Sequence, residues 1–516
     1  MVRLIVSGAV VLLALAGAAV AQAPKPGGVA NAVIQPEPPG LMLGLLQNGP
    51  TQMVAGNIYE GLLRYSETLE PKPGLAESWT VGPDGKTYTF SLVKNATWHD
   101  GKPFTAADVL FSVEFLKQTH PRARGNMAKV TSVAAPDPHT VVFTLSEPFG
   151  PFLGVFEVGS LPMIPKHVYE GTDYKTNPAN NTPIGTGPFM FKEWKKGSFI
   201  RLVKNPNYHL AGRPYLDEIY WHVIPDAASR AVAFETGKVD ILPGGSVENF
   251  DVPRLSQMKG ACVTGKGWEF FGPHSWLWLN NRQGPTANKA FRQAVSYAID
   301  RDFARDVIWN GLGKPAIGPV SSSTRFFNAK LGQYSYDPAK AKALLKQSGY
   351  KGETLRLLPV PYGETWQRWA EAVKQNLEDV GIKTEIVATD VAGWNQKTSE
   401  WDYDIAFTYL YQYGDPALGV ARNYISSQIA KGSPFNNVEG YSNPAVDKGF
   451  AEAAVAVSPA ERQALYDGVV KTVIEDAPVA WLLELQFPTI TRCKVKDLVT
   501  TGIGVNDGFR DTWIER

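Results

Sequence analysis

Downstream of Val20 the sequence holds no long apolar run; each is broken by a charge, a Pro or a Gly within a few residues. No later segment can therefore supply the ~20 apolar residues of a membrane span, which excludes a channel or permease. Charge excess is missing as well. Removing residues 1–21 takes away one charge, Arg3, and leaves 50 basic against 50 acidic residues. A binder of nucleic acid or of an anionic membrane surface needs a basic surplus, so neither is expected as a partner. The seven histidines are scattered without paired metal-ligand spacing, and no metal and no cofactor are expected. The sequence contains no G-x-S-x-G elbow, no H-E-x-x-H and no C-x-x-C. Gly82-Pro83-Asp84-Gly85-Lys86-Thr87 imitates a phosphate-binding loop, but two residues separate its glycines where four are needed, so it reads as a hairpin turn. No repeat of solenoid or propeller length is present. There are two cysteines, Cys262 and Cys493; an oxidising compartment permits a bridge, and two buried thiols acting as small hydrophobes are the alternative.

What is present begins at the N-terminus. Arg3 is followed by the uncharged apolar run Leu4 to Val20 and by the small-x-small pattern Ala19-Val20-Ala21. This is a signal peptide cut after Ala21, and no cysteine lies near the cut for a lipid anchor. The mature chain is expected in the periplasm, soluble and not membrane-inserted. Its length exceeds one hydrophobic core, since cores stop growing near ~250–300 residues, so at least two lobes are expected. Helices and strands alternate with clear punctuation. Thr105 to Asp108 and Ser458 to Glu461 are N-terminal capping patterns, and Asp337-Pro338 opens a helix that Gly349 closes. Trp369, Val373, Leu377 and Val380 recur at helical spacing, whereas Tyr88, Phe90, Leu92 and Val141, Phe143, Leu145 alternate as in strands.

Aromatic residues carry the functional signal. Tyr409, Tyr411 and Tyr413 alternate just before Gly414-Asp415-Pro416. Alternate residues of a strand share a face, so these rings can form one wall, with packing between lobes as the bland alternative. Trp276 flanks Leu277 with Trp278, and His274 sits in the same aromatic segment.

Taken in order, a set of motifs spans the mature chain: Asn57 to Leu62, Pro73 to Trp79, Trp98 to Val109, Gly185 to Phe189, Asn205 to Tyr208, Phe291 to Arg301 and Tyr336 to Ala341. In this order and spacing the sequence resembles the family 5 (peptide/nickel) periplasmic solute-binding proteins of ABC transporters. The resemblance implies an α/β fold, a two-lobed periplasmic-binding-protein clamshell (type II, cluster C) with an inserted subdomain. Lobe I would comprise residues 22–66, 186–271 and 483–516, the inserted subdomain 67–185, and lobe II 272–482. The protein would not be an enzyme. It would capture a small polar solute, whether peptide-like, opine or sugar-like, and deliver it as a monomer to an inner-membrane ABC permease. A secreted enzyme with an unrecognised site is the alternative. By loop position the resemblance places ligand contacts at Asn48, Trp276, Trp394, Tyr409, Tyr411, Gln412, Tyr413 and Asp415. It also marks two departures. Peptide-binding relatives hold the ligand ammonium with an Asp four residues before the loop Pro, where this chain has Gln412. Dipeptide-binding relatives place an Arg for the ligand carboxylate where this chain has Val360. Both changes point away from an ordinary peptide zwitterion.

Overall fold

The computed structural model describes residues 23–516 apart from residues 47, 333 and 434; the expected signal peptide lies outside the described residues. Two mixed sheets form two lobes, and a third sheet is inserted in the first lobe. The first lobe is built on seven strands in the order Ala261–Thr264, Thr489–Arg492, Ile241–Leu242, Val29–Ile34, Glu218–Val223, Phe199–Lys204, Phe189–Lys195. Val29–Ile34 runs parallel to both of its neighbours, with Ala32 opposite Trp221 on one side and Ile241 on the other. Its Ala30, Ala32, Val33 and Ile34 are buried, so this central strand packs on both faces.

Between Val29–Ile34 and Phe189–Lys195 the chain leaves the sheet to make a four-stranded antiparallel sheet, ordered Ala76–Val81, Thr87–Leu92, Thr140–Leu145, Val130–Asp137. The Gly82 to Thr87 segment is the hairpin turn, with Gly82 N–H bonded to Thr87 O at 2.7 Å and Asp84 accepting from the amides of Lys86 and Thr87. Thr87–Leu92 and Thr140–Leu145 alternate buried and half-buried, as their period of two requires. Their inward rings, Phe90 and Phe143, meet Phe152 and Phe156 in edge and tilted contacts at 4.8–5.7 Å. The helix Ala106–Thr119 starts with a complete capping box in which Asp108 accepts from Thr105 N–H at 2.9 Å. The insertion returns to the first sheet through Gly185 to Phe189. A Cβ on Gly185 would meet the carbonyl of Ile58 at 1.8 Å, so no larger residue fits this crossing.

The second lobe is built on six strands in the order Gly313–Pro315, Val479–Leu485, His274–Leu279, Ile405–Leu410, Leu355–Leu358, Thr384–Ile386. Val479–Leu485 and His274–Leu279 are buried at every position, including the indoles of Trp276, Trp278 and Trp481. The helix Glu364–Asp379 lays Trp369 against Phe407 of the sheet, and Gly381 follows it with φ +97°. Asp337 caps the helix Pro338–Ser348 through Lys340 N–H at 2.9 Å, and Gly349 ends it in a left-handed conformation. The helix Pro459–Asp476 forms as well, but Ser458 makes no side-chain cap bond.

The chain passes between the lobes twice, after Thr264 and after Leu485. The expected lobe junction between residues 482 and 483 therefore falls inside the strand Val479–Leu485, which belongs to the second sheet. Cys262 and Cys493 are joined in a disulfide with a Cα–Cα distance of 5.0 Å, Cys262 in the strand Ala261–Thr264 and Cys493 just past the end of its partner Thr489–Arg492. Of the two possibilities left open by the sequence, the bridge is the one realised. It closes the chain just outside both crossings and so encloses the whole second lobe. Cross-linking residues separated by 231 positions restricts the unfolded chain far more than the folded one. Reduction, or the pair Cys262→Ser and Cys493→Ser, is expected to lower unfolding stability by about 2–5 kcal/mol. Thermal melts with and without reductant check this; equal melting temperatures would show the bridge to be energetically idle.

Candidate functional site

The lobes meet along the continuation of the strand Ile405–Leu410, and the line between them is the candidate cleft. Tyr409, Tyr411 and Tyr413 are half-buried, while the intervening Leu410, Gln412 and Gly414 are buried. The alternation puts three rings on one side at centroid spacings of 5.9 and 6.3 Å. Rings from the chain crossings complete the wall. Phe271 lies 5.1 Å from Tyr411, Trp268 lies 6.4 Å from Tyr411, and Phe487 lies 5.9 Å from Tyr409. On the far side Trp366 stacks on Tyr409 at 5.6 Å. Such a surface offers large flat apolar faces with polar hydroxyl edges.

Tyr413 has a φ of 52° and is followed by Gly414 at 74°. A left-handed non-glycine residue costs of order 1–3 kcal/mol and persists only where its surroundings fix it. Two guanidinium groups lie over the Tyr413 ring, one from each lobe. Arg122, on the inserted subdomain's helix Pro121–Asn126, lies 4.4 Å from the Tyr413 ring centroid. Arg422, in the turn Ala421–Asn423 of the second lobe, lies 5.6 Å from it. Arg122 is paired with Glu157 at 3.5 Å and donates to Gly159 O. Glu157 is fully buried, and its carboxylate also accepts from Gly159 N–H at 2.6 Å, from Gln52 at 3.2 Å and from Ser160. Among the described residues, Arg422 has no such acid. Its donors reach the carbonyls of Gly419 and Tyr411, both at 3.4 Å. Burial, reinforced by the charge of Arg122, draws its pKa below the ordinary guanidinium value against the opposing effect of Tyr413.

The lobes are held together at the rim by polar contacts. Arg325 of the second lobe donates to Leu69 O at 2.9 Å and pairs with Glu70 at 3.3 Å. Thr365 donates to Glu248 at 3.1 Å, and Gly150 N–H bonds to Ala454 O at 3.0 Å. This is the closed arrangement of a clamshell.

The structure gathers Tyr409, Tyr411 and Tyr413 at the cleft and sends the other sequence-derived candidates elsewhere. Gln412 is 2 % exposed. Its Oε1 accepts from Ser321 N–H and Thr324 O–H at 2.8 Å each. Its Nε2 donates to Pro319 O and to His274 Nδ1 at 2.9 Å each. The amide is saturated inside the second lobe. Asp415 is buried in an ion pair with Arg462 at 2.8 Å and caps the following turn through Ala417 N–H. Asn48 caps the helix Gly49–Ala55 through Thr51 N–H at 2.9 Å. Trp276 and Trp394 are core residues, Trp394 stacking on Trp278 at 5.7 Å. Val360 is likewise buried in the second core. His274 is fully buried, and burial lowers its pKa to about 3, so it stays neutral. Sequence reading missed Arg122, Arg422, Trp268, Phe271, Phe487 and Trp366. The aromatic run Trp268-Glu269-Phe270-Phe271 was a visible signal; nothing local marked either arginine. Among the described residues, no group of three or more His, Cys, Asp or Glu side chains could hold a metal ion, and no helix is long and apolar enough to cross a membrane.

Residues 70–431 match the family model for bacterial extracellular solute-binding proteins, family 5. The chain is 30 % identical to a probable D,D-dipeptide-binding periplasmic protein of Escherichia coli K12, over 86 % of this chain and 85 % of that protein. It is 31 % identical to the glutathione-binding protein of Pectobacterium atrosepticum, over 84 % of each. Among solved structures it is similar to a Helicobacter pylori ABC transporter-associated periplasmic binding protein in complex with the peptide STSA. The TM-score there is 0.82 at 28 % identity, covering 95 % of this chain and 99 % of that one. It is equally similar in fold to an A. tumefaciens binding protein in complex with agropinic acid, with TM-score 0.82, 26 % identity and coverage of 95 % and 99 %. The chain belongs to the family 5 bacterial extracellular solute-binding proteins, and its fold is the two-lobed α/β clamshell of that family.

The saturation of Gln412 has a direct consequence. Gln412→Ala leaves the Ser321 N–H, the Thr324 hydroxyl, the Pro319 carbonyl and His274 Nδ1 without partners. The expected loss is about 4 kcal/mol or more in urea unfolding, since each of the four buried groups left unpaired costs ~1–3 kcal/mol. Unchanged stability would show that these bonds are not holding the second lobe.

Proposed function

We propose that this protein is the periplasmic solute-binding component of an ABC importer, holding a small polar solute between its lobes against Tyr409, Tyr411 and Tyr413. The single observation that carries the cleft assignment is the half-buried tyrosine wall, completed by rings from both chain crossings. A solute on this wall touches both lobes in the closed form alone. That difference in contacts is what favours closure. The closed, loaded form is then what an inner-membrane permease engages, and the mature chain works as a monomer after export by its N-terminal leader. The domain assignment that goes with this reading takes lobe I and lobe II as bodies hinged at residues 265–273 and 486–488, with the inserted subdomain moving with lobe I.

The enzyme alternative finds less support in the cleft. The polar groups next to the wall are committed: Gln412 to four partners, Asp415 to Arg462, Glu157 to Arg122. No nucleophile and base stand within hydrogen-bond reach of each other on the wall. The family members similar to this chain bind different compounds, a peptide in one structure and agropinic acid in another. Family membership therefore leaves the ligand class open, and peptides, opines and sugars are the candidates.

A thermal-shift panel of peptides, opines and sugars tests this function. A ligand at about a hundred times its dissociation constant stabilises the native state by roughly 2.7 kcal/mol. Tyr411→Ala is expected to weaken a confirmed ligand by ~10–100-fold, a loss of about 1.4–2.8 kcal/mol, and to lower the unliganded melt because its ring packs on Phe271 and Tyr409. Turnover of the bound compound, or full affinity in Tyr411→Ala, would count against the assignment.

A further inference from the structure

Among the described residues, the guanidinium of Arg422 has no carboxylate partner. Two guanidinium groups flank the Tyr413 ring, at 4.4 Å for Arg122 and 5.6 Å for Arg422. They stand close enough for the charge of Arg122 to act on Arg422. Among the described residues, Glu157 is the one carboxylate within ion-pair distance of either of them, and it pairs with Arg122. That carboxylate is itself engaged by Gly159 N–H, Gln52 and Ser160, and it cannot serve Arg422 as well. Arg422 reaches two backbone carbonyls at 3.4 Å, long and weakly directed contacts for a charged donor. Arg122 also keeps a buried Nε–H without a partner. Shielding a cation beside a like charge costs free energy, and proteins ordinarily compensate it with an acid. Other buried arginines are better served: Arg462 pairs with Asp415 at 2.8 Å, while Arg292 and Arg301, without an ion pair among the described residues, donate to four and three backbone carbonyls at 2.7–3.2 Å.

Resting on the solute-binding reading above, we infer that Arg422, with Arg122 beside it, is the anchor for a carboxylate carried by the ligand. The charge count selects a carboxylate. Two guanidinium groups and one carboxylate leave one positive charge, which a singly charged oxyanion neutralises; a phosphate monoester would overshoot. The planar fork of a guanidinium matches a carboxylate's two oxygens. The anchor sits on different residues from those that hold a peptide's termini in the peptide-binding relatives, since Val360 is in the core and Gln412 is saturated. Recognition is therefore asymmetric. An acid group is required, and a free ammonium has no carboxylate waiting for it at this end of the wall.

The test pairs acids with their primary amides: dipeptides, N-acetylated amino acids, opine acids and uronic acids, each beside its amide, with phosphate monoesters as a further set. Wild type, Arg422→Gln and Tyr411→Ala are titrated calorimetrically and melted without ligand. The expected result is an acid that binds at least about tenfold tighter than its amide, with the difference erased in Arg422→Gln. Equal affinity for acid and amide, or full acid affinity in Arg422→Gln, overturns the anchor and leaves the cleft reading standing if Tyr411→Ala still weakens binding. Tighter binding of a phosphate monoester than of any carboxylate also overturns it. Full affinity in Tyr411→Ala removes the cleft reading itself. The unliganded melts decide where no pair binds. Arg422→Gln melting no lower than wild type supports a charge kept for a ligand, because the variant loses a repulsion; a fall of several degrees marks Arg422 as structural and overturns the inference.

Discussion

The strict alternation of side chains along residues 409–412, ahead of the left-handed turn at Tyr413 and Gly414, is the constraint on which the cleft depends. Successive residues of extended chain point to opposite sides, so whatever satisfies one set fixes the other. Leu410 and Gln412 are tied into the second lobe, Leu410 opposite His274 in the sheet and Gln412 through its four hydrogen bonds. Tyr409 and Tyr411 are thereby forced outward. A slip of one residue would bury both phenols without partners and expose an amide that has four. The saturated glutamine is thus what makes the tyrosine wall rigid, and a rigid wall loses less entropy when a solute settles on it.

Charge is handled by the same logic but left incomplete. Buried acids and bases of the cleft rim are matched: Asp415 with Arg462, Glu157 with Arg122. Burial pushes Glu157 up, while Arg122, Ser160 and the Gly159 amide oppose that shift and favour its ionised form. Arg422, shielded by rings and reaching only two carbonyls at 3.4 Å, has no acid among the described residues, and Tyr413 holds a strained backbone conformation next to it. Strain and an unmatched charge at one place are a departure from the economy of the rest of the fold, and such departures collect where a protein does something other than fold.

Local sequence signals proved readable where their physics is local. The capping box of Thr105 and Asp108, the hairpin at Gly82 to Thr87 and the helix stop at Gly349 involve partners within a few residues, and all three form. The tyrosine wall was legible from its period of two. Trp276 and Trp394 were not: Trp276 lies on a strand buried on both faces, and Trp394 on the helix Val391–Ser399 stacks into the core on Trp278. Gln412 and Asp415 drew attention as polar residues in a ligand loop, but their partners, Ser321, Thr324, His274 and Arg462, come from segments far along the chain. The pairing of Cys262 with Cys493 is a matter of strand register, which composition leaves open. Arg122 and Arg422 are 300 positions apart in the numbering and meet only through closure of the lobes.

Closure and recognition share the same atoms. Trp268, Phe271 and Phe487 lie on the two chain crossings, and each touches a tyrosine of the wall, directly or through its neighbour. Any change in the angle between the lobes moves these crossings and so separates rings that are now 5–6 Å apart. Arg122 reaches Tyr413 from the inserted subdomain, so it too leaves when the lobes part. A ligand lying on the wall therefore meets half of its surroundings in the open form and all of them in the closed one. The free energy that holds it is, to that extent, the free energy that shuts the clamshell. The rim contacts of Arg325, Thr365 and Gly150 are partly exposed and individually weak. They can bias the closed form without fixing it, which leaves the decision to whatever occupies the cleft.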